Sequence, residues 1–305
     1  MNNVGRTASK NWLSLVLIFF FTFSVSLVGA RFVRSILVGN NSVAETKDNS
    51  NSNDDQDAPQ QTTPSAIKLQ PIIDSWIAEI DNRVGLVVYD LDRDEIAASY
   101  NSDTAFSTGD LYQLIFAYDG YRRLDVGLER ADSNIGYELN YSDCLNIMTS
   151  TSASETCATA FLTDSYRSES AQNLINTIGM TQSSDFGQVT TPNDLVLFLQ
   201  HVWQHDDLSL DSWAKLQASM LELPEESEID WKQGLPSGFS TARVYSKASG
   251  TENDLGTWEN YADIALIDFV RQNRHFAVVV LGENGVDPSD FSRLGTLIEG
   301  KVIEE

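Results

Sequence analysis

The spacing of apolar and polar positions divides the 305-residue chain into a long apolar run, a polar stretch and a region of mixed periodicity. Trp12 to Ala30 is uncharged and dominated by Leu, Val and Phe, and nineteen such residues are enough to cross a bilayer core as a helix. Arg6 and Lys10 precede the run, which suits an amino terminus kept on the cytoplasmic side. The run exceeds the apolar core of a usual signal peptide. The reading is therefore a short cytoplasmic tail (1–11) and an uncleaved signal anchor (12–30), with the rest of the chain exported. Cleavage after the small residues Val28-Gly-Ala30 is the alternative. Residues 40–65 are polar, low in complexity and nearly free of large apolar side chains, too little to offset the entropy of ordering. Residues 31–66 are thus expected to form a disordered tether, and residues 67–305 a single domain.

Helical periodicity opens that domain, with Ile67, Leu69, Ile72, Ile73, Trp76, Ile77 and Ile80 on one face. Val84 to Asp90 and Ile96 to Tyr100 read as two strands joined by the turn Asp92-Arg-Asp94, a hairpin. Residues 110–225 are mainly helical by pattern. Strand character returns in Ala242–Lys247, Tyr261–Phe269 and Phe276–Leu281, and a last helix is expected over Ser289–Ile303. This order predicts an α+β fold: a five-stranded antiparallel sheet with helices packed on it, preceded by one transmembrane helix.

Charge narrows the partners. The formal net charge is −24, and residues 1–66 hold five basic and five acidic residues, so the domain alone carries 15 basic against 39 acidic. Such a field repels polyphosphate, which argues against nucleic acid. Three His and two Cys show no metal-ligand spacing, and no glycine-rich phosphate loop stands out, so neither a metal nor another cofactor is expected.

Four landmarks follow one another in an informative order. Phe106-Ser-Thr-Gly-Asp-Leu-Tyr-Gln-Leu114 leads into a helix. Cys144-Leu-Asn-Ile-Met-Thr-Ser-Thr-Ser-Ala-Ser154 follows, then Val189-Thr-Thr-Pro-Asn-Asp-Leu195, and finally Val244-Tyr-Ser-Lys-Ala-Ser-Gly250 on a strand. Together with the helix–hairpin opening, these resemble the class A β-lactamase and penicillin-binding-protein family of serine hydrolases over about residues 67–305. The resemblance implies Ser-x-x-Lys at the first landmark, Ser-Asp-Asn at the second, a Thr-Thr-Pro helix start at the third and Lys-Thr-Gly at the fourth. In that family Ser is the acyl acceptor, and the Lys three residues on takes its proton from the same helix face.

This chain departs from the pattern where the chemistry is. Asp110 and Gln113 stand at the Ser and Lys positions. Asp110 near a helix start would satisfy free backbone N–H groups, and a carboxylate fixed there would compete for the N–H that the family offers to an oxyanion. Acylation of Asp110 itself would give a labile mixed anhydride. Ser152 keeps the first position of Ser-Asp-Asn, whereas Ala153 and Ser154 replace the other two. Lys247 lies one residue out of step with Lys-Thr-Gly. Either Lys247 keeps the family's place, or Ser249-Gly250 does and Lys247 turns to the other strand face. Arg243, Lys247, Ser152, Ser249 and Gly250 are candidates to hold a carboxylate-bearing small ligand or cell-wall peptide. Two literal Ser-x-x-Lys strings, Ser65–Lys68 and Ser212–Lys215, fall outside the family's order. Ser65 is the better helix N-cap. Glu169-Ser-Ala-Gln-Asn173 superficially resembles the family's deacylation segment but lies in a helical pattern.

Cys144 and Cys157 are the only cysteines in a chain read as exported, so a disulfide enclosing twelve residues is expected, and two buried thiols are the alternative. By loop entropy such a bridge contributes about 3 kcal/mol. These features point to a membrane-anchored, extracytoplasmic and catalytically inactive domain with a binding or scaffold role at the cell envelope. The alternatives are an active serine hydrolase with a non-standard nucleophile and a wholly structural surface protein.

Overall fold

The structure is a computed structural model that describes residues 65–80, 82–136, 138–150, 155–221 and 234–305. The expected anchor and most of the tether lie outside the described residues, as do Ser152, Ala153 and Ser154. Among the described residues no helix is long and apolar enough to cross a membrane.

Helix α1 (Gln70–Ile77) is followed by β1 (Arg83–Asp90) and β2 (Glu95–Tyr100). A short strand β3 (Phe106–Ser107) and a 3-10 turn (Gly109–Leu111) lead into α2 (Tyr112–Asp125). A small ribbon of β4 (Asn134–Gly136) and β5 (Leu139–Asn140) precedes α3 (Tyr141–Thr149), α4 (Glu155–Thr163) and α5 (Ser165–Ile178). After β6 (Val189–Thr190) come α6 (Pro192–Gln204) and α7 (Leu210–Leu221), then β7 (Arg243–Glu252), β8 (Trp258–Phe269), β9 (Arg274–Glu283) and α8 (Pro288–Glu304). Strands β2-β1-β9-β8-β7 form one antiparallel sheet, as the periodicity predicts. The two-residue strands β3 and β6 and the β4–β5 ribbon are too short to leave a periodic trace.

Alternate residues of each strand feed separate cores. Val87, Ala262, Ile264, Leu266, Ala277, Val279 and Leu281 face α2 to α7. Leu86, Val88, Ala265, Ile267, Phe276, Val278 and Val280 face α1 and α8. Phe276 to Leu281 is fully buried on both sides, which explains its unbroken apolar run. Each such side chain contributes on the order of 2 kcal/mol by leaving water. Helix α2 is buried almost all round, eleven of its fourteen residues being inside, and so reads as a core helix rather than an amphipathic one.

Two local expectations change. Helix α1 begins at Gln70, with Pro71 in its first turn and Leu69 at the N-cap. Ser65 is therefore not its cap, and the Ser65 carbonyl instead accepts from Arg274 Nη1 at 2.9 Å. The disulfide is present: Cys144 on α3 and Cys157 on α4 are bonded with their Cα atoms 5.4 Å apart. It joins the two helices that flank residues 151–154 in sequence.

Candidate active site

The start of α2 is held from two directions. Strand β3 pairs with β6, and the Thr108 hydroxyl donates to the Gly187 carbonyl at 2.7 Å. The same β6 leads into α6, where Thr191 caps the helix by accepting from Asp194 N–H at 3.2 Å and Pro192 occupies the first turn. The Thr-Thr-Pro landmark is thus a helix start, and it anchors the segment that carries Asp110. From the other side comes β7. Gly109 has φ +53°, and a Cβ there would lie 2.5 Å from Ser249 Oγ. Only glycine allows both the backbone turn and this approach.

Asp110 sits within the 3-10 turn rather than at a cap. Its carboxylate accepts from Gln113 Nε2 at 3.0 Å, a side-chain pair three residues apart on one face. The reading of Asp110 as a backbone cap is therefore corrected: that bond runs to an amide side chain, and neither Thr108 nor Leu111 at the two N-cap positions makes a side-chain cap bond. The backbone N–H of Asp110 does have a partner. It donates to Ser249 Oγ at 2.5 Å. The group that holds the Asp110 N–H is thus a hydroxyl from β7, not a carboxylate.

The register of β7 resolves the two placements of Lys247. The strand runs without a bulge from Arg243 through Thr251, with Lys247 opposite Ile264 and Ala248 opposite Asp263. Side chains alternate, so Tyr245, Lys247 and Ser249 face the helical core, whereas Ala248 joins the other core with Tyr261 and Leu235. Lys247 therefore shares a face with Ser249 and points toward α2 and α3. It is 0% exposed, and its ammonium donates to the Ser150 carbonyl at 2.5 Å. Burial pushes its pKa down to about 8, against the opposing pull of the Asp110 carboxylate. Ser249 is 2% exposed.

Other candidates fall elsewhere. Arg243 shares the strand face but lies six residues from Ser249, roughly 20 Å along an extended chain. It is exposed, with Asp268 at 3.9 Å, so the structure does not bring it to the cluster. Gly250 N is near Gly109 and thus close to the helix start. Ser212 and Lys215 sit on α7, where Ser212 Oγ donates to Asp125 Oδ1 at 2.8 Å and Lys215 pairs with Asp211 at 2.7 Å. Glu169 lies mid-way along α5, as its helical pattern predicts. No group of His, Cys, Asp and Glu among the described residues could hold a metal ion.

A family model of the β-lactamase enzyme family matches residues 68–298. The chain belongs to that family. Among solved structures this family member is similar to an ancestral class A β-lactamase assigned to the last common ancestor of Gram-negative bacteria, at 18% identity and a TM-score of 0.64 over 75% of this chain and 98% of that one. It is also similar to a β-lactamase from Chitinophaga pinensis, at 13% identity and a TM-score of 0.65 over 75% and 97% of the two chains. A third is a β-lactamase from Burkholderia vietnamiensis, at 15% identity and a TM-score of 0.65 over 74% and 95%. At such identities the likeness is one of fold. A comparison with curated proteins returns no match.

The fold brings Asp110, Gln113, Lys247, Ser249 and Gly250 together, whereas Arg243 lies elsewhere and Ser152 lies outside the described residues. Gln113 is an amide and takes no proton, and the Lys247 amine is engaged by a main-chain carbonyl. From the sequence, Ser249 is expected only as a ligand contact. The small residue Gly109 directly before Asp110 was the available signal for a close approach.

Proposed function

We propose that this β-lactamase family member is a non-acylating domain, tethered to the membrane by residues 12–30, with its folded part outside the cytoplasm and a binding or scaffold role at the cell envelope. The observation behind this reading is the Asp110 N–H to Ser249 Oγ bond at a helix start that offers no serine and no lysine. An oxyanion donor already satisfied by a buried hydroxyl gains nothing on meeting a carbonyl, and the nucleophile and its base are replaced. A cell-wall peptide ending in a carboxylate is the ligand class that the family likeness favours. To reach Lys247, such a peptide has to displace the Ser150 carbonyl.

The test is covalent labelling of the full chain, in detergent, with a fluorescent penicillin read after denaturation. The expected result is an unlabelled band. A labelled band overturns the proposal. Ser249 is then the first candidate, being the serine whose hydroxyl the structure places against the Asp110 N–H, and peptide mapping decides it.

A further inference from the structure

Strands β2 and β7 are the two edges of the sheet. An edge strand presents main-chain N–H and C=O groups that can pair with another chain, and folded proteins guard them with charge, proline, a bulge or a cover. Strand β7 lies against the turn at Gly109. On β2 the stretch from Ile96 to Ser102 carries no charge and no proline, and Ile96 and Tyr100 are 53% and 38% exposed. Its two ends are guarded by backbone geometry. The pairing with β1 steps from Val88 opposite Ala98 to Tyr89 opposite Ile96, which leaves Ala97 as a bulge. At the other end the Asn101 carbonyl accepts the Thr104 N–H at 3.0 Å and the chain turns away. Ser99 lies between them, in regular register opposite Val87.

Both main-chain groups of Ser99 are taken from outside the sheet. Its N–H donates to Gln70 Oε1 at 2.9 Å, and Gln70 Nε2 donates to its carbonyl at 3.2 Å. In an antiparallel ladder a residue turns both groups to the same side, so those of Ser99 point away from β1, into the place of a further strand. A side-chain amide carries the same donor and acceptor as a peptide group, and Gln70 fills the slot of one residue of that strand. A third bond fixes which way the amide faces. Gln70 Nε2 also donates to Asp74 Oδ1 at 2.8 Å, a carboxylate oxygen that can only accept, so the amide oxygen is the atom left for the Ser99 N–H. The amide is carried on a firmly seated element. Gln70 is the first residue of α1, which is held by the fully buried Leu69, Ile73 and Trp76, and Trp76 Nε1 donates to the Asp290 carbonyl of α8 at 3.0 Å.

We infer that Gln70 is a plug on the β2 edge: it occupies the hydrogen-bonding place that β2 of a second copy would take, and so keeps the chain from joining edge to edge. A second copy is the partner that it excludes. An identical strand laid antiparallel offers the same uncharged edge with the same exposed Ile96 and Tyr100, and two Ser99 residues exchanging N–H···O bonds close into a two-fold pair. The plug touches none of the residues around Asp110, so it is independent of the function proposed above.

The test is the oligomeric state of the full chain in detergent, followed against protein concentration by size-exclusion chromatography with light scattering. High salt is used so that the net charge of −24 does not by itself keep copies apart. The variants are Gln70→Ala and Gln70→Met, the second retaining side-chain length without the amide. Both are expected to dimerise with a dissociation constant at least tenfold lower than that of wild type. Adding Ile96→Lys, at an exposed position, puts like charges on the paired edges and is expected to restore the wild-type state. Two results overturn the proposal: folded Gln70 variants that associate no more than wild type, or association that Ile96→Lys leaves intact. If Gln70→Ala does not fold, Gln70→Met decides. Penicillin labelling reads the Asp110 site, so the two proposals fail separately.

Discussion

Strands β7 and β8 carry two buried ionisable groups that are diagonal neighbours on opposite faces of the sheet, and they are stabilised differently. Lys247 faces the helical core, where the Ser150 carbonyl accepts from its ammonium. Asp263, opposite Ala248, faces the core of α1 and α8. One of its oxygens accepts the Leu235 N–H at 2.8 Å, and the other has no hydrogen-bond partner. Burial raises the Asp263 pKa well above 3.8, against the Leu235 bond, so the folded carboxyl holds its proton where a free one loses it. The sheet lies between the two groups, so neither neutralises the other. Each also depends on a glycine for room: Gly109 beside Ser249, and Gly234, where a Cβ would lie 2.6 Å from Asp263 Oδ2 and 2.3 Å from Tyr261 Oη. The face toward α2 holds a cation inside a polar cluster. The other face tolerates a neutral acid in an apolar one.

The largest effect expected from breaking this comparison is at Gly109. Gly109→Ala forces a side chain into a left-handed backbone and onto Ser249 Oγ, and should destabilise by about 4 kcal/mol in urea titration. The same change made in Ser249→Gly should recover roughly half of that. Equal losses in both backgrounds would show that strain alone, not the close approach, decides the turn.

Next in size is the pH response of Lys247. The unfolded chain keeps this proton up to 10.5, the folded chain only to about 8. Between those values the unfolded state binds more protons, so stability rises with pH, by on the order of 3 kcal/mol in all. Urea midpoints of wild type and Lys247→Met should therefore diverge from pH 8 to 10.5 in favour of wild type, and parallel profiles would falsify the assignment.

Asp263 should give the opposite sign. Its folded pKa is raised, so its contribution is intact below 3.8 and is lost as pH climbs toward the folded value. Asp263→Asn should match wild type in acid and exceed it at neutral pH, because burial penalises the ionised carboxyl. A wild type that stays level with the variant at both pH values would mean that the carboxyl reaches solvent.

The smallest effect is at Gly234, whose backbone is not left-handed and whose neighbours are side-chain tips. Gly234→Ala should destabilise by about 1 kcal/mol. A loss as large as that of Gly109→Ala would remove the distinction between the two faces.

Much of the fold is legible before any coordinates. The alternation from Val84 to Asp90, the unbroken run from Phe276 to Leu281 and the turn at Asp92-Arg-Asp94 mark strands and a hairpin, because each depends on local periodicity. The disulfide also follows from there being only two cysteines in a chain expected to be exported. The short strands at Phe106 and Val189 do not, because two residues carry no period. The candidate site divides in the same way. Asp110 and Gln113 carry the proposal of a non-acylating domain by their identity, since no fold turns a carboxylate and an amide into a serine and a lysine. What occupies the Asp110 N–H is different: it depends on how closely β7 approaches the turn at Gly109, and that distance is set by packing across the sheet. The face taken by Lys247 also waited on the structure, because one residue of register reverses every side chain on a strand and only pairing with β8 fixes it. By itself the sequence determined which longer elements form and which residue types stand at Asp110 and Gln113, both being properties of residue type and local spacing. The tertiary structure alone decided the Ser249 contact, the inward Lys247 and the seat of Gln70 on Ser99, because each arises where segments far apart in the chain meet.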